Sequence, residues 1–283
     1  MKKTILALSV AAVALAFTSS CNKTKTTEAG IEYTIIEHED DSRMIDSADI
    51  VLVNLKITTE KTDSLIMESY SDSAGGPRYI PAYEPVLKTV FAELSKGDSA
   101  EFWVNADTLF QKSFGVPRPS NMAEGERVKF VVTIVDVFSQ AELQQKQMQQ
   151  MSGMIAQDSV ALQAFLATQQ NVQTTASGLH YIVKKKTNGK QTKAGNKVQV
   201  MYEGRLLSGD VFDGNMDGSR PPQEFAIGLG QVIPGWDEGV QLMREGEEYT
   251  FIIPWKLAYG DRGAGPIPPF SSLVFDVKLV KIQ

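Results

Sequence analysis

Five aromatic residues, Tyr202, Phe212, Trp236, Tyr259 and Phe275, punctuate the stretch 177–283, each beside a glycine or inside an apolar, strand-like run. The same stretch holds no Ser-His-Asp set, no Cys-His pair, no metal-ligand cluster and no phosphate loop. Aromatic walls without a nucleophile or a metal describe a binding cavity whose chemistry, if it has any, works through environment. Asp213 has two readings: an exposed turn carboxylate before Gly214, or a polar group at the cavity rim. Its place directly after Phe212 favours the rim. The two histidines of the chain, His38 and His180, lie in or beside predicted strands without metal-ligand company and read as ordinary surface or strand residues.

These residues must be held by short strands and one short helix. Val198, Val200 and Tyr202 alternate with other residues, as do Val51, Val53 and Leu55, and period-two apolar placement suits a half-buried strand. In PGWDEGVQLM, Pro234 suits a helix start, and Trp236, Val240 and Met243 share one helical face. Pattern alone leaves Trp236 open between pocket floor and plain core. The glycines of LSKGD and MREGE mark turns between a helix and the next strand.

Three segments recur in the same order. DIVLVNLKI matches NKVQVMYEG, FAELSKGDSAEFWV matches VQLMREGEEYTFII, and VKFVVTIVDV matches LVFDVKLVKI, at a spacing of roughly 147 residues, as in a duplicated domain. Between the halves, residues 141–170 are rich in Ala, Gln, Met and Leu and lack proline, a helix composition. Ser139 and Glu142 have capping-box spacing, and Gly153 leaves a break into two helices open. Met148, Met151 and Met154 have two readings, an adaptable client-binding surface or a packing stripe against one domain, the latter preferred. Residues 171–177 read as a polar linker.

The N-terminus sets the compartment. Lys2 and Lys3 precede an apolar run, Ile5 to Phe17, that is too short for a membrane span. Thr18-Ser19-Ser20 then precede Cys21, the single cysteine. Small residues before a lone Cys resemble a bacterial lipobox, with Cys21 as the lipidated first residue of the mature chain. An ordinary signal peptide that contains a Cys is the plainer reading, but it leaves the lone thiol unexplained. Thr18 departs from the pattern, where a larger aliphatic residue is commoner. Asn22 after the Cys favours outer-membrane sorting by the same resemblance. Residues 21–30 read as a flexible tether. A net charge of −6 gives no electrostatic ground for nucleic-acid binding, and Lys184-Lys185-Lys186 reads as a solvated strand end.

VIPGWDEGVQLMREGE, AYGDRGAGPIPP and LVFDVKL, in this order, resemble the FK506-binding-protein (FKBP) family of peptidyl-prolyl cis-trans isomerases across essentially all of 177–283. The resemblance implies an α+β chain of two FKBP-like domains, each a bent antiparallel sheet wrapped around a short helix, joined by a helical linker. The expected boundaries are a signal peptide 1–20, tether 21–30, degenerate domain 31–139, helical linker 140–172 and isomerase domain 173–283. It also implies site roles. Trp236 is the pocket floor, and Tyr202, Phe212 and Phe275 are its walls. The Ile233 N–H and the Tyr259 hydroxyl hold substrate carbonyls, Asp213 sits at the rim near Tyr202, and Val232, Ile267 and Gln223 complete the substrate surface. Gln223 departs from the family, which often has an aromatic there.

No metal, cofactor or covalent intermediate is implied. Rotation about a peptide bond faces a barrier of about 18–20 kcal/mol because it breaks amide resonance, and at X–Pro it takes tens to hundreds of seconds. A twisted amide has a less polar carbonyl, so an apolar pocket disfavours the planar ground state more than the twisted one. A pre-organised electrostatic environment is the rival account. In the first half Leu55 stands for Tyr202, Leu87 for Trp236 and Met67-Glu68 for Phe212-Asp213. Phe130 stands for Phe275, and Phe114-Gly115 echoes Tyr259-Gly260. That half is expected to keep the fold without isomerase activity and to serve client binding, homodimerisation or spacing. The expected function is a lipid-anchored, periplasm-facing isomerase that assists folding of proline-containing exported polypeptides. The alternative is an anchored chaperone-like binding module with little turnover.

Overall fold

The structure, a computed structural model, describes residues 23–38, 42–70 and 75–283. The expected signal peptide and Cys21 lie outside the described residues. The chain divides into two compact units at Gln145/Lys146.

The first unit runs β1 (Lys25–Thr26), β2 (Glu32–Glu37), β3 (Ile50–Thr59), β4 (Leu65–Glu68), β5 (Arg78–Pro81), α1 (Lys88–Phe91), β6 (Ser99–Asn105), α2 (Ala106–Lys112) and β7 (Arg127–Phe138). The helix α3 (Gln140–Ala167) follows. Then come β8 (Gln173–Thr174), β9 (His180–Lys185), β10 (Lys197–Leu206), β11 (Val211–Gly214), β12 (Gln223–Ala226), α4 (Pro234–Gln241), β13 (Glu248–Ile253) and β14 (Leu273–Ile282). Each unit holds one antiparallel sheet. The strand orders are β1-β2-β6-β7-β3-β4 with β5 on β3, and β8-β9-β13-β14-β10-β11 with β12 on β10.

The two sheets agree strand for strand, down to their irregularities. The register of β3 slips at Leu52/Val53 against β7, and that of β10 at Gln199/Val200 against β14. A second slip falls at Ile57/Thr58 against β4 and at Gly204/Arg205 against β11. The Leu55 N–H donates to the Ser69 hydroxyl at 2.9 Å, and the Tyr202 N–H to Asn215 Oδ1 at 2.7 Å. Leu55 therefore occupies the position of Tyr202, and Leu87 that of Trp236 at the matching helix start. One pairing expected from sequence shifts by a residue. Met67 pairs with Ile57 as Asp213 pairs with Gly204, so Ile66-Met67, not Met67-Glu68, occupies the place of Phe212-Asp213.

Both cores follow from strand periodicity. Val51, Val53, Leu55 and Ile57 of β3 point inward and are buried, and Phe102 stacks on Phe130 with centroids 4.9 Å apart. In the second unit Val198, Val200, Tyr202, Phe251, Phe275 and Val277 do the same.

Three expectations change. Residues 23–30 do not form a free tether, because β1 pairs with β2 through Lys25↔Tyr33 and Thr26↔Glu32. Its counterpart β8 pairs with β9, so the linker expected at 171–177 also contains a strand. Both edge strands are exposed on each face, so neither carries an apolar signature. Helix α3 is continuous through Gly153, started by the expected box: the Ser139 N–H donates to Glu142 Oε2 at 2.7 Å and the Glu142 N–H to the Ser139 hydroxyl at 3.2 Å. Met148, Met151 and Met154 are exposed and do not form a packing stripe. The residues of α3 that pack are Leu162, Phe165 and Leu166, against Ile182, Ile252 and Val274 on one face of the second sheet. The matching positions of the first sheet are Thr34, Trp103 and Lys129, with the Lys129 ammonium 5.6 Å from the Trp103 ring. Helix α3 thus packs on a face where the second sheet carries Ile182, Ile252 and Val274 and the first carries Thr34, Trp103 and Lys129.

His38 is more than a surface residue: its Nδ1 lies 2.8 Å from Oδ1 of Asp98, a fully buried carboxylate. His180 Nδ1 bonds the Thr174 hydroxyl at 2.8 Å, joining β8 to β9. Among the described residues no group of acidic, His or Cys side chains is arranged to hold a metal ion, and no helix is long and apolar enough to cross a membrane.

Candidate active site

A cavity of about 390 Å³ opens on the second unit, and the expected Tyr202, Phe212, Asp213, Gln223, Val232, Ile233, Trp236, Tyr259 and Phe275 all line it, with Gly230 and Gln231. Ile267 does not. It is 6 % exposed, packs in the core and is pinned to Ala264 by reciprocal backbone bonds of 3.0 and 2.9 Å.

The aromatic rings interlock edge to face. Trp236 lies 5.0 Å from Tyr202 at 85° and 5.3 Å from Phe275 at 84°, and Phe212 meets Phe275 at 5.6 Å and 81°. Such contacts add about 0.5–1.5 kcal/mol each beyond buried area, so the walls hold one another in place. Phe225, 3 % exposed, supports Trp236 at 5.8 Å.

Glycines that sequence reading passed over make this packing fit. Gly204 stands on the cavity face of β10, two residues from Tyr202 and opposite Phe275. A Cβ there would lie 2.5 Å from Phe275 Cε1 and 2.8 Å from Phe212 Cε2. The first unit has Ile57 at this position. Gly239 of α4 plays a related part: a Cβ would fall 2.8 Å from the Phe251 ring, so only a glycine lets the helix bearing Trp236 lie this close to β13.

Polar groups sit at the rim. The Tyr202 hydroxyl donates to Asp213 Oδ2 at 2.5 Å, the Gly214 N–H to Oδ1 at 3.0 Å, and Arg220 also donates to Oδ1. Arg220 reaches the Gly214 carbonyl at 2.5 Å as well. Neither Arg220 nor Asn215, which anchors β10 beside Tyr202, was singled out from sequence; both sit in a loop without periodicity. Ile233 precedes α4 with φ −59° and ψ 148°. Among the described residues nothing accepts its N–H, and the Tyr259 hydroxyl has no partner either. Two unpartnered donors therefore border one aromatic-walled cavity.

The charges at this corner are stable across neutral pH. Burial pushes the Asp213 carboxyl up, but the bonds from Tyr202 and Arg220 and the Arg220 charge outweigh it and hold the group below its ordinary 3.8. Burial, then the bond to Asp213, pushes the Tyr202 phenol up from 10.0 to about 12. Burial, then the Asp213 charge, raises Tyr259. For the depressed carboxyl, stabilisation is complete above 3.8 and is lost as pH falls through the lower folded value. For the raised phenol, it is complete below 10.0 and is lost as pH rises through about 12. The prediction is a pH profile of kcat/KM that stays level between these limits. A bell within that range would contradict the assignment.

Residues 188–280 match the family model described as FKBP-type peptidyl-prolyl cis-trans isomerase. A probable FKBP-type isomerase, FkpA, of Neisseria meningitidis is 52% identical over 124 residues, 42% of this chain and 44% of that protein. The match thus spans less than half of that relative. FK506-binding protein 2 of Dictyostelium discoideum is 52% identical over 94 residues, 33% of this chain and 70% of that protein. The crystal structure of FkpA from Escherichia coli aligns at 31% identity and a TM-score of 0.43, covering 52% of this chain and 74% of that one. The alignment with the Dictyostelium protein, which takes in most of that relative, shows that the chain belongs to the FKBP-type peptidyl-prolyl cis-trans isomerase family.

Proposed function

We propose that the second unit catalyses cis-trans isomerisation of X–Pro bonds in unfolded or nascent exported polypeptides. One observation carries this reading: an edge-to-face aromatic cavity bordered by two unpartnered hydrogen-bond donors. The proline ring sits on Trp236 between Tyr202, Phe212 and Phe275. The Ile233 N–H and Tyr259 hydroxyl take the carbonyls on either side. Holding the flanking carbonyls while the X–Pro amide loses its water shell lets the bond twist in an environment that disfavours its polar planar form. Asp213, fixed by Tyr202 and Arg220, keeps the rim polar and the Tyr202 ring oriented.

The first unit, with Leu55, Ile57, Ile66, Met67 and Leu87 at the matching positions, has lost this cavity's aromatic set and serves client binding or spacing. The exposed Met148, Met151 and Met154 favour a second reading, a chaperone-like binding module. Refolding of a protein limited by proline isomerisation separates the two. Acceleration by substoichiometric full chain supports the isomerase; an effect that appears only at stoichiometric amounts supports the binding module.

The anchor proposal stands apart. With Cys21 lipidated, only Asn22 to Thr24 would separate the anchor from β1, a reach of roughly 10–14 Å. The first unit would then lie against the outer membrane on its periplasmic side. Metabolic labelling with a tagged fatty acid should mark the wild type and leave Cys21→Ser unmarked. Equal labelling of both removes the anchor.

A further inference from the structure

The end of helix α3 packs on the second sheet through Leu162, Phe165 and Leu166. One turn earlier, Asp158 makes a specific polar contact. Its Oδ1 accepts from the Ser272 N–H at 2.7 Å and its Oδ2 from the Ser272 hydroxyl at 2.6 Å. Ser272 is 1 % exposed, and its Oγ accepts in turn from the Trp255 N–H at 3.2 Å. Trp255 begins the short 3-10 turn that leads to Tyr259. The other side of the loop is tied to the same place. Phe270, held at φ +56°, donates its N–H to the Gly260 carbonyl at 2.9 Å and sets its ring edge-on to Trp255 at 5.1 Å.

The first unit closes the matching loop without a contact from α3. Ala106, the counterpart of Trp255, donates its N–H to the Glu126 carbonyl at 2.8 Å. Arg127, the counterpart of Ser272, turns to Glu32 and Glu60 instead. The fold therefore does not demand a carboxylate from α3. In the second unit a hydroxyl stands in for that backbone closure, and the hydroxyl is itself held by Asp158.

We infer that Asp158 is a positioning residue for the cavity: through Ser272 and Trp255 it fixes the loop that presents the Tyr259 hydroxyl, which makes helix α3 part of the site. This rests on the isomerase reading. A hydroxyl must meet a carbonyl within a few tenths of an ångström to act, and small misplacements of such groups are costly. Backbone bonds from Gly260 to Trp255 and from Phe270 to Gly260 hold the loop itself, and the Trp255 N–H, at its start, is anchored through two side-chain bonds in series, Ser272 and then Asp158.

The test uses the full chain. Asp158→Ala and Ser272→Ala should each lower kcat/KM about tenfold, the scale of one lost bond to a charged acceptor. The double variant should lose no more than either single change, since both break one linkage. Asp158→Asn, of equal shape with one acceptor oxygen left, should fall in between and guards against a folding artefact. In a Tyr259→Phe background, Asp158→Ala should cost less than about twofold, because the hydroxyl it positions is gone. Fluorotryptophan resonances give a readout independent of turnover: Trp255 should shift in Asp158→Ala while Trp103 stays put. Full activity in Asp158→Ala, or the same tenfold loss with and without the Tyr259 hydroxyl, overturns the inference. If the wild type does not turn over, the isomerase reading fails, and an unmoved Trp255 resonance then sinks the Asp158 linkage separately.

Discussion

Trp236→Leu should lower kcat/KM for X–Pro isomerisation by roughly 100-fold, about 2.7 kcal/mol of transition-state stabilisation, and leave the second unit folded. Trp236 touches Tyr202, Phe225 and Phe275 at 5.0, 5.8 and 5.3 Å, so its loss removes the flat floor and the edge contacts that orient two walls. Truncation of a buried Trp to Ala costs about 3–5 kcal/mol of stability, enough to confuse misfolding with lost catalysis. Leucine avoids that ambiguity. Leu87 occupies the same position in the first unit and is 5 % exposed in a well-packed core, so the scaffold accepts leucine there. The change also removes the Trp236 Nε1 donor, which is buried without a partner among the described residues, and that offsets part of the lost packing. Thermal unfolding should shift modestly while turnover collapses. Loss of both in proportion would mean Trp236 is only core.

Gly204→Ile, the residue of the first unit at the same register, is the second large effect. A Cβ already lies 2.5 Å from Phe275 and 2.8 Å from Phe212, and real Cβ atoms do not sit that close. Both rings must move, and the wall they form opens. Overpacking of this kind costs about 1–3 kcal/mol of stability, and turnover should fall roughly 100-fold because the displaced walls no longer meet the proline. In the first unit Ile66 stands where Phe212 does, while Phe130, opposite Ile57, keeps the place of Phe275. Adding Phe212→Ile to Gly204→Ile should therefore recover stability and leave turnover low. Recovery of both would show that Phe212 is not part of the pocket; recovery of neither would show that the two units pack differently at this register.

What was legible in the sequence follows from what leaves a local mark. The aromatic set was visible because large rings beside glycines are costly to place without a cavity, and nine of the expected lining residues converge on one cavity. The duplication was visible in the central strands, where burial on one face imposes period two. It was missed at the edges. TTEAGIEY and TTASGLHY lead into the two sheets in parallel, but β1 and β8 are exposed on both faces, so polarity passed for a tether. Gly204 left only an absence, readable by comparison with Ile57. Ile267 came to the substrate surface from the family resemblance, and in the structure it packs in the same core cluster as Tyr202, Trp236 and Phe275. Asp158 is one carboxylate on a polar helix, and its partner Ser272 lies 114 positions away, beyond any local pattern.

The central claim is turnover without nucleophile, metal or cofactor at an aromatic pocket. Exchange spectroscopy on a short peptide with one X–Pro bond tests it most directly. Spontaneous exchange takes tens of seconds or longer, so mixing times under about a second show no cis-trans cross-peaks. A substoichiometric amount of the full wild-type chain should produce them, and the same amount of the Trp236→Leu chain should not. Silent wild-type spectra, or equal cross-peaks from both chains, would contradict the account.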